Sequence, residues 1–226
     1  AQCCLVADFY HGNPVDFDKL KVADWNGVKC AAVILKATKG ASYKDPAFKA
    51  RVAAAKAAGF LVGAYHFGTG EDVAAQVKNF LDAIGGDPDI ALYLDFEDWP
   101  KSQMTLPMAL EFMAGVDQAT GRSCGIYAGN RIKETIIHAT PAQRDFLAAH
   151  AFWGCEYGAT FVMKDVNGQP LPWDVPFLWQ FPGDGNGPLP HTLDGLEQGC
   201  DLSIFRASPD QLRAAWPLPK MPLVSS

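Results

Sequence analysis

The chain lacks any apolar run near the roughly 18 to 20 residues that cross a bilayer as a helix, so no membrane span is expected. It also lacks a cluster of Lys and Arg. With 19 basic against 25 acidic residues the net charge is −6, which offers nucleic acid no electrostatic footprint. Cys-x-x-Cys pairs, Cys/His clusters and His-x-x-x-His spacings are missing, so no metal is expected, and nothing in the sequence asks for a cofactor. Internal repeats, low-complexity tracts and linkers are absent too. The six cysteines (Cys3, Cys4, Cys30, Cys124, Cys155, Cys200) are scattered over a chain too large to need stapling. Adjacent Cys3 and Cys4 would face opposite sides of a strand, and one or two disulfides or six free thiols both stay open. The start, Ala1-Gln2-Cys3, carries no signal-peptide pattern; a processed mature protein, Met removal or trimming would each give it.

What is present is apolar sequence in short, ordered pieces. Hydrophobic residues make up 49% of 226, ample for one sizeable core, and one domain over 1–226 is expected. Strand-length runs occur at 4–8, 30–38, 61–67, 90–96, 123–127 and 151–155. Helical stretches separate them: a short one after Asp16, one from Asp45-Pro46 to Gly59, one from about Glu71 to Ile84, and one from Ser102 to Thr120 with Pro107 in its first turn. Two more are expected at 130–138 and 141–150. Beyond Tyr157 the helical signal fades into Gly, Pro and Asn, leaving two further strands at 177–181 and 199–205. Alternation of this kind argues for parallel βαβ units. Eight strand candidates point to closure into an irregular TIM-like α/β barrel whose last connections are loops rather than helices.

The stretch from Ile90 to Trp99 organises the rest. It opens as an apolar run suited to a strand buried on both faces and ends in three carboxylates among aromatics. Alternation puts Tyr93, Asp95 and Glu97 on one side, with Leu94, Phe96 and Asp98 on the other. Paired acids at the end of a hydrophobic strand repel each other and are costly to desolvate. A solvated strand end whose acids cap the next helix is the plain reading of Asp-x-Glu alone. In a β/α barrel, however, the carboxyl ends of the strands build the active site. Asp8 ends the first strand, Asp201 belongs to the last, and Tyr10, His11, Tyr65, His66, Trp99, Tyr127, Trp153 and Trp179 lie near strand ends. Aromatic faces stack on sugar rings, and paired carboxyl groups cleave glycosidic bonds. For each aromatic alone, a place in the core is the simpler account, and His66 in its apolar strand reads as a hydrogen-bonded core histidine.

These residues carry a resemblance. Strand-Asp8, Lys36-Ala37-Thr38-x-Gly40, Tyr43-x-Asp45-Pro46-x-Phe48, Val62-Gly63-Ala64-Tyr65-His66-Phe67, Asp95-x-Glu97-Asp98, Ile126-Tyr127, Trp179-Gln180 and Asp201-Leu202-x-x-Phe205 resemble, in order and spacing, the family 25 glycoside hydrolases or Chalaropsis-type lysozymes. The resemblance covers residues 4 to about 206, leaving 207–226 as a tail. It implies an eight-stranded barrel that hydrolyses the β-1,4 bond after N-acetylmuramic acid in peptidoglycan. A protein secreted or released to the cell wall, a phage endolysin included, fits that reaction, and a monomer is the default expectation. By the same resemblance Glu97 is the proton donor and Asp95 its partner acid, with Asp8 and Asp201 completing the set. Tyr65, Tyr127, Tyr10, Trp153 and Gln180 are the expected substrate contacts. Retention assisted by the substrate's acetamido group is what the family suggests. A silent sugar-binding barrel and a metal-dependent hydrolase are the alternative readings.

Some features depart from the family pattern. Phe9-Tyr10-His11-Gly12 is slightly short, Lys39 stands where an acid is common, and a Gly/Pro-rich insertion with Cys200 precedes Asp201. Lys36, Lys39 and Lys44 are expected to make the groove locally basic.

Overall fold

A computed structural model describes residues 3–218, so the last part of the expected tail lies outside the described residues. Eight strands close into a barrel: β1 (Cys4–Phe9), β2 (Val28–Lys39), β3 (Leu61–Phe67), β4 (Ala91–Asp95), β5 (Gly125–Ala128), β6 (Phe152–Cys155), β7 (Leu178–Gln180) and β8 (Asp201–Phe205). Neighbours from β1 to β7 pair in parallel. The last strand is the exception, running antiparallel to both β7 and β1. That reversal moves the amino end of β8 to the mouth where the other strands finish, and Asp201 sits in register with Asp8.

Both faces of the strands are buried, which is why their sequences read as continuous apolar runs. Ala32, Ile34, Ala91, Tyr93 and Leu178 fill the barrel, while Val33, Leu35, Leu92 and Leu94 pack outward under the helices. Tyr93 has room because Gly125 stands opposite its ring; a Cβ there would meet the ring at 2.7 Å. The far end of the barrel is closed by a helix absent from the expected elements, α7 (Pro209–Ala215). It starts from a Ser208 capping box, and Leu212, Trp216 and Leu218 beneath it join the interior cluster. The Trp216 indole N–H donates to the Val62 carbonyl at 2.9 Å.

The remaining helices are α1 (Phe17–Val22), α2 (Phe48–Ala57), α3 (Val73–Ile84), α4 (Leu106–Thr120), α5 (Asn130–Thr135) and α6 (Pro141–Ala148). Residues 136–138, expected to continue α5, form a 3-10 turn. Asp72 and Thr105 cap the amino ends of α3 and α4, while Gly85 and Gly121 end them in the left-handed conformation that glycine adopts without strain. Thr105, not Ser102, begins α4. The expected start of α2 at Asp45-Pro46 is also displaced. Asp45 turns its carboxylate on the Ala47 and His11 amides, and the helix begins at Phe48. No helix is long and apolar enough to cross a membrane among the described residues. All six cysteines are free thiols.

Candidate active site

Strand geometry brings the four sequence-selected acids to one mouth. Asp8 ends β1, Asp95 ends β4, Glu97 follows two residues later, and Asp201 opens the reversed β8. They line a cavity of about 200 Å³ together with Tyr65, Tyr127 and Trp153. A larger groove of about 650 Å³ continues on one side, walled by Phe67, Trp99, Tyr127, Arg131 and Tyr157. A smaller recess of about 110 Å³ continues on the other, past Tyr10, Asn13 and Glu197. Glu97 borders both the central cavity and the large groove, whereas Asp95 borders only the central cavity. The result is an open trough across the barrel mouth with the Asp-x-Glu pair partway along it.

The acids are deeply desolvated and mutually repelling. Burial, then the neighbouring Glu97, pushes the Asp95 carboxyl well above the usual carboxylate range. Burial likewise raises Glu97, while a hydrogen bond to Asp95 and the nearby Lys36 ammonium oppose that rise. Asp8 is raised by burial and by Asp201, against the pull of its Gln180 hydrogen bonds. Asp201 is pushed up to about 7, first by burial and then by Asp184. Four carboxyl groups so placed cannot all ionise near neutrality, and the cluster retains protons. The Oδ1 atom of Asp95 is buried with no hydrogen-bond partner.

A relay of side chains fixes the Asp8 end. Gln180 is 1% exposed and does not border the trough. Its amide donates to Asp8 Oδ1 at 2.9 Å and Oδ2 at 3.2 Å. Its carbonyl accepts from the Tyr127 hydroxyl at 2.7 Å, the Cys155 thiol at 3.2 Å and the Tyr157 hydroxyl at 3.4 Å. With a carboxylate at one end and three O–H or S–H donors at the other, the amide has one sensible orientation. Trp153 is also buried, its indole N–H donating to Ser203 Oγ at 2.8 Å, so it forms floor rather than wall. Tyr65 stands among the acids, and burial followed by the charges of Asp95, Asp8, Glu97 and Asp201 holds its phenol protonated. Tyr10 is exposed at the rim.

One lining residue carries no signal in the sequence: Asp184 adds a fifth carboxylate from the loop between β7 and β8. Cys155 at the end of β6 and Tyr157 beyond it also line the trough. They stand where the family's Trp-x-x-x-Tyr region is altered to Trp153-Gly-Cys-Glu-Tyr157. Gly183 makes the close approach possible, since a Cβ there would collide with the Tyr157 hydroxyl and the Asp201 carboxylate. The nearest thing to a signal is the Gly-Asp-Gly-Asn-Gly run at 183–187, which marks a turn and not a site. Lys44, expected beside the groove, is spent on Asn79 Oδ1 at 2.6 Å. Among the described residues no three His, Cys, Asp or Glu side chains form a group that could hold a metal ion.

A barrel that gathers raised-pKa carboxyl groups and aromatics in an open trough at one mouth has the making of a glycoside hydrolase. The model of the glycosyl hydrolases family 25 matches residues 7–188, and the chain belongs to that family. It is a glycoside hydrolase. Among solved structures it is similar to a bacterial lysozyme from Streptomyces coelicolor, at TM-score 0.72 and 22% identity over 93% of this chain and 95% of that one. A muramidase from Acremonium alcalophilum superposes at TM-score 0.72 and 24% identity, covering 93% and 97%. The uncharacterized protein YegX of Escherichia coli K12 is 22% identical over 88% of this chain and 68% of its own length.

Proposed function

We propose that the chain is a lysozyme, hydrolysing the β-1,4 bond between N-acetylmuramic acid and N-acetylglucosamine in peptidoglycan. Family membership supports the reaction class, and the names lysozyme and muramidase carried by proteins of the same fold support the substrate. The observation that carries the reading is Glu97's position where the central cavity opens into the large groove. A polymer lying along the trough passes its glycosidic oxygen at that boundary. Glu97 donates the proton to the leaving oxygen, and its burial favours the protonated form that a donor needs.

Asp95 takes a different role from a second carboxylate across the sugar. It precedes Glu97 by two residues and so shares its side of the chain, and both border the central cavity. That adjacency supports attack by the substrate's own acetamido oxygen, with Asp95 orienting the acetamido nitrogen, and hence retention. Asp8 and Asp201 border the central cavity beside the reacting sugar, and Gln180 positions Asp8 in place of touching sugar. Tyr65 and Tyr127 contact substrate in the central cavity, Tyr10 extends the rim, and Trp153 supports their floor. The setting that fits this substrate is outside the cytoplasm, at the cell wall, with the enzyme acting as a monomer and as one domain.

The test is reducing-end release from purified peptidoglycan, with products identified by mass spectrometry, for wild type beside Glu97→Gln. Muramic acid at the new reducing end, lost by about a thousandfold in the variant, is the expected result. Glucosamine at that end, release undiminished in the variant, or binding with no release from any wall would each overturn it.

A further inference from the structure

The trough is electrically polarised. At one end Asp8, Asp184, Glu197 and Asp201 border the small recess, which no Lys or Arg lines. At the other, Arg131 stands among Glu97, Asp98 and Glu156 in the lining of the large groove. Three lysines gather beside its Phe67 and Trp99 rings, with Lys36 reaching back toward Tyr10 at the recess. Lys39 Nζ lies 3.2 Å from the Trp99 ring centroid and 5.0 Å from that of Phe67, both rings that wall the groove. Lys36 Nζ lies 5.5 Å from Phe67, 5.7 Å from Tyr43 and 5.9 Å from Tyr10, and Lys101 Nζ lies 5.7 Å from Trp99. Aromatic faces hold ammonium groups without neutralising them.

Like charges packed this way are unfavourable without a counter-ion. Burial, then the charges of Lys36 and Lys101, pull the Lys39 ammonium down, and Glu71 only partly offsets them. Glu71 is itself occupied by the Ala41 amide and the Thr69 hydroxyl. Lys36 feels Asp95 and Glu97, but among the described residues none of the three lysines lies within 4.0 Å of a carboxylate oxygen. Across the same groove the Arg131 guanidinium leaves its Nε buried without a hydrogen bond, 3.8 Å from Asp98 Oδ1. On a chain of net charge −6, an unpaired basic corner beside the trough is a local feature with a local use.

We infer that the Lys39, Lys101 and Trp99 corner is a subsite for an anionic substituent carried by the glycan, with Lys36 and Arg131 completing its field. It rests on the lysozyme reading above, because that polymer bears such groups: carboxylates on its peptides and phosphates on attached wall polymers. The acidic end of the trough repels the same groups. Together the two ends set which way round a strand lies, with its charged branches over Trp99 and uncharged sugar over Asp184.

The test uses Lys39→Gln/Lys101→Gln, which spares Lys36 and every acid, on three preparations of glycan strands. The first keeps free carboxylates and is stripped of wall phosphate; the second is stripped and has its carboxylates capped as methylamides; the third is capped but retains phosphate. A KM raised threefold to tenfold with kcat unchanged on the first or third, but not the second, is expected, and which of the two responds names the anion. Lys39→Arg/Lys101→Arg should restore the wild-type KM, and the wild-type KM on that preparation should climb with ionic strength. An equal penalty on all three preparations, no penalty on any, or no rescue by arginine would overturn the subsite. Cosedimentation of Glu97→Gln protein, with and without the two lysine changes, reads the same preference without turnover. Wild type that releases no muramic acid end while this binding preference holds would sink the lysozyme reading and leave the subsite standing.

Discussion

Two buried polar clusters lie on adjacent strands of this barrel and are built by opposite rules. On the outer face of β3, His66 is 0% exposed, stacked on Phe112 at 4.7 Å, and every polar atom around it is matched. The Gln76 amide donates to the Thr69 and Glu71 carbonyls, so its carbonyl must accept from His66 Nε2 at 3.0 Å and from the Thr69 amide at 3.0 Å. That fixes the tautomer, and His66 Nδ1 accepts from the Thr38 hydroxyl at 2.7 Å. Burial pushes this imidazole down to about 4, and it stays neutral. At the inner mouth one strand away, carboxyl groups face one another and Asp95 keeps an unpartnered oxygen. The first cluster is satisfied and stabilises the fold. The second is left unsatisfied, ready for substrate, and destabilises it.

The pH dependence follows with opposite signs. A histidine depressed to about 4 contributes stability that is complete above its unfolded pKa near 6.5 and lost as pH falls through 4. A carboxyl raised to about 7, as in Asp201, contributes stability that is complete below its unfolded pKa near 4 and lost as pH rises through 7. The largest separation of the two clusters comes from His66→Phe. It strands the Thr38 hydroxyl and half of Gln76, and urea unfolding should show a loss of about 3 kcal/mol with kcat of the folded fraction unchanged. A variant that lost turnover without stability would erase the distinction. Gln180→Leu should lose both, since it strands Asp8 and three O–H or S–H donors: a stability loss comparable to that of His66→Phe, and kcat/KM of the folded fraction lower by about tenfold to a hundredfold. The mildest effect is that of Asp201→Asn, which relieves repulsion: a thermal melt at pH 8 should rise by about 3 °C over wild type, and the gain should vanish at pH 4.

How much of this is legible in the sequence divides along similar lines. Strands buried on both faces announce themselves as apolar runs, and acids that end such runs are conspicuous, so Asp8, Asp95 and Glu97 can be assigned to one mouth from residue order alone. The reversal of β8 cannot, because an apolar run has the same appearance in either direction. Asp201 reaches the mouth only through that reversal. Helix termini differ by two to four residues because Asp45 uses its carboxylate in a turn with the Ala47 amide, and the Ser102 hydroxyl accepts from the distant Gly70 amide, so neither caps its helix. Gln180 is legible as a motif residue, but its hydrogen bonds span 172 residues and fix it to Asp8. Asp184 lies in a glycine-rich turn whose path is set by tertiary contacts, and no local pattern marks it. The closure of the barrel by α7 is also unreadable, since a seven-residue helix gives too little periodicity to stand out from a tail.

The mouth sacrifices stability for chemistry, and Asp95→Asn tests this most directly. Its unfolding free energy at pH 8 should be measured beside its turnover on peptidoglycan. An amide replaces a carboxyl that burial and Glu97 both oppose ionising, so the account predicts a more stable protein with turnover reduced by orders of magnitude. A variant less stable than wild type, or one that turns over substrate as wild type does, would contradict it.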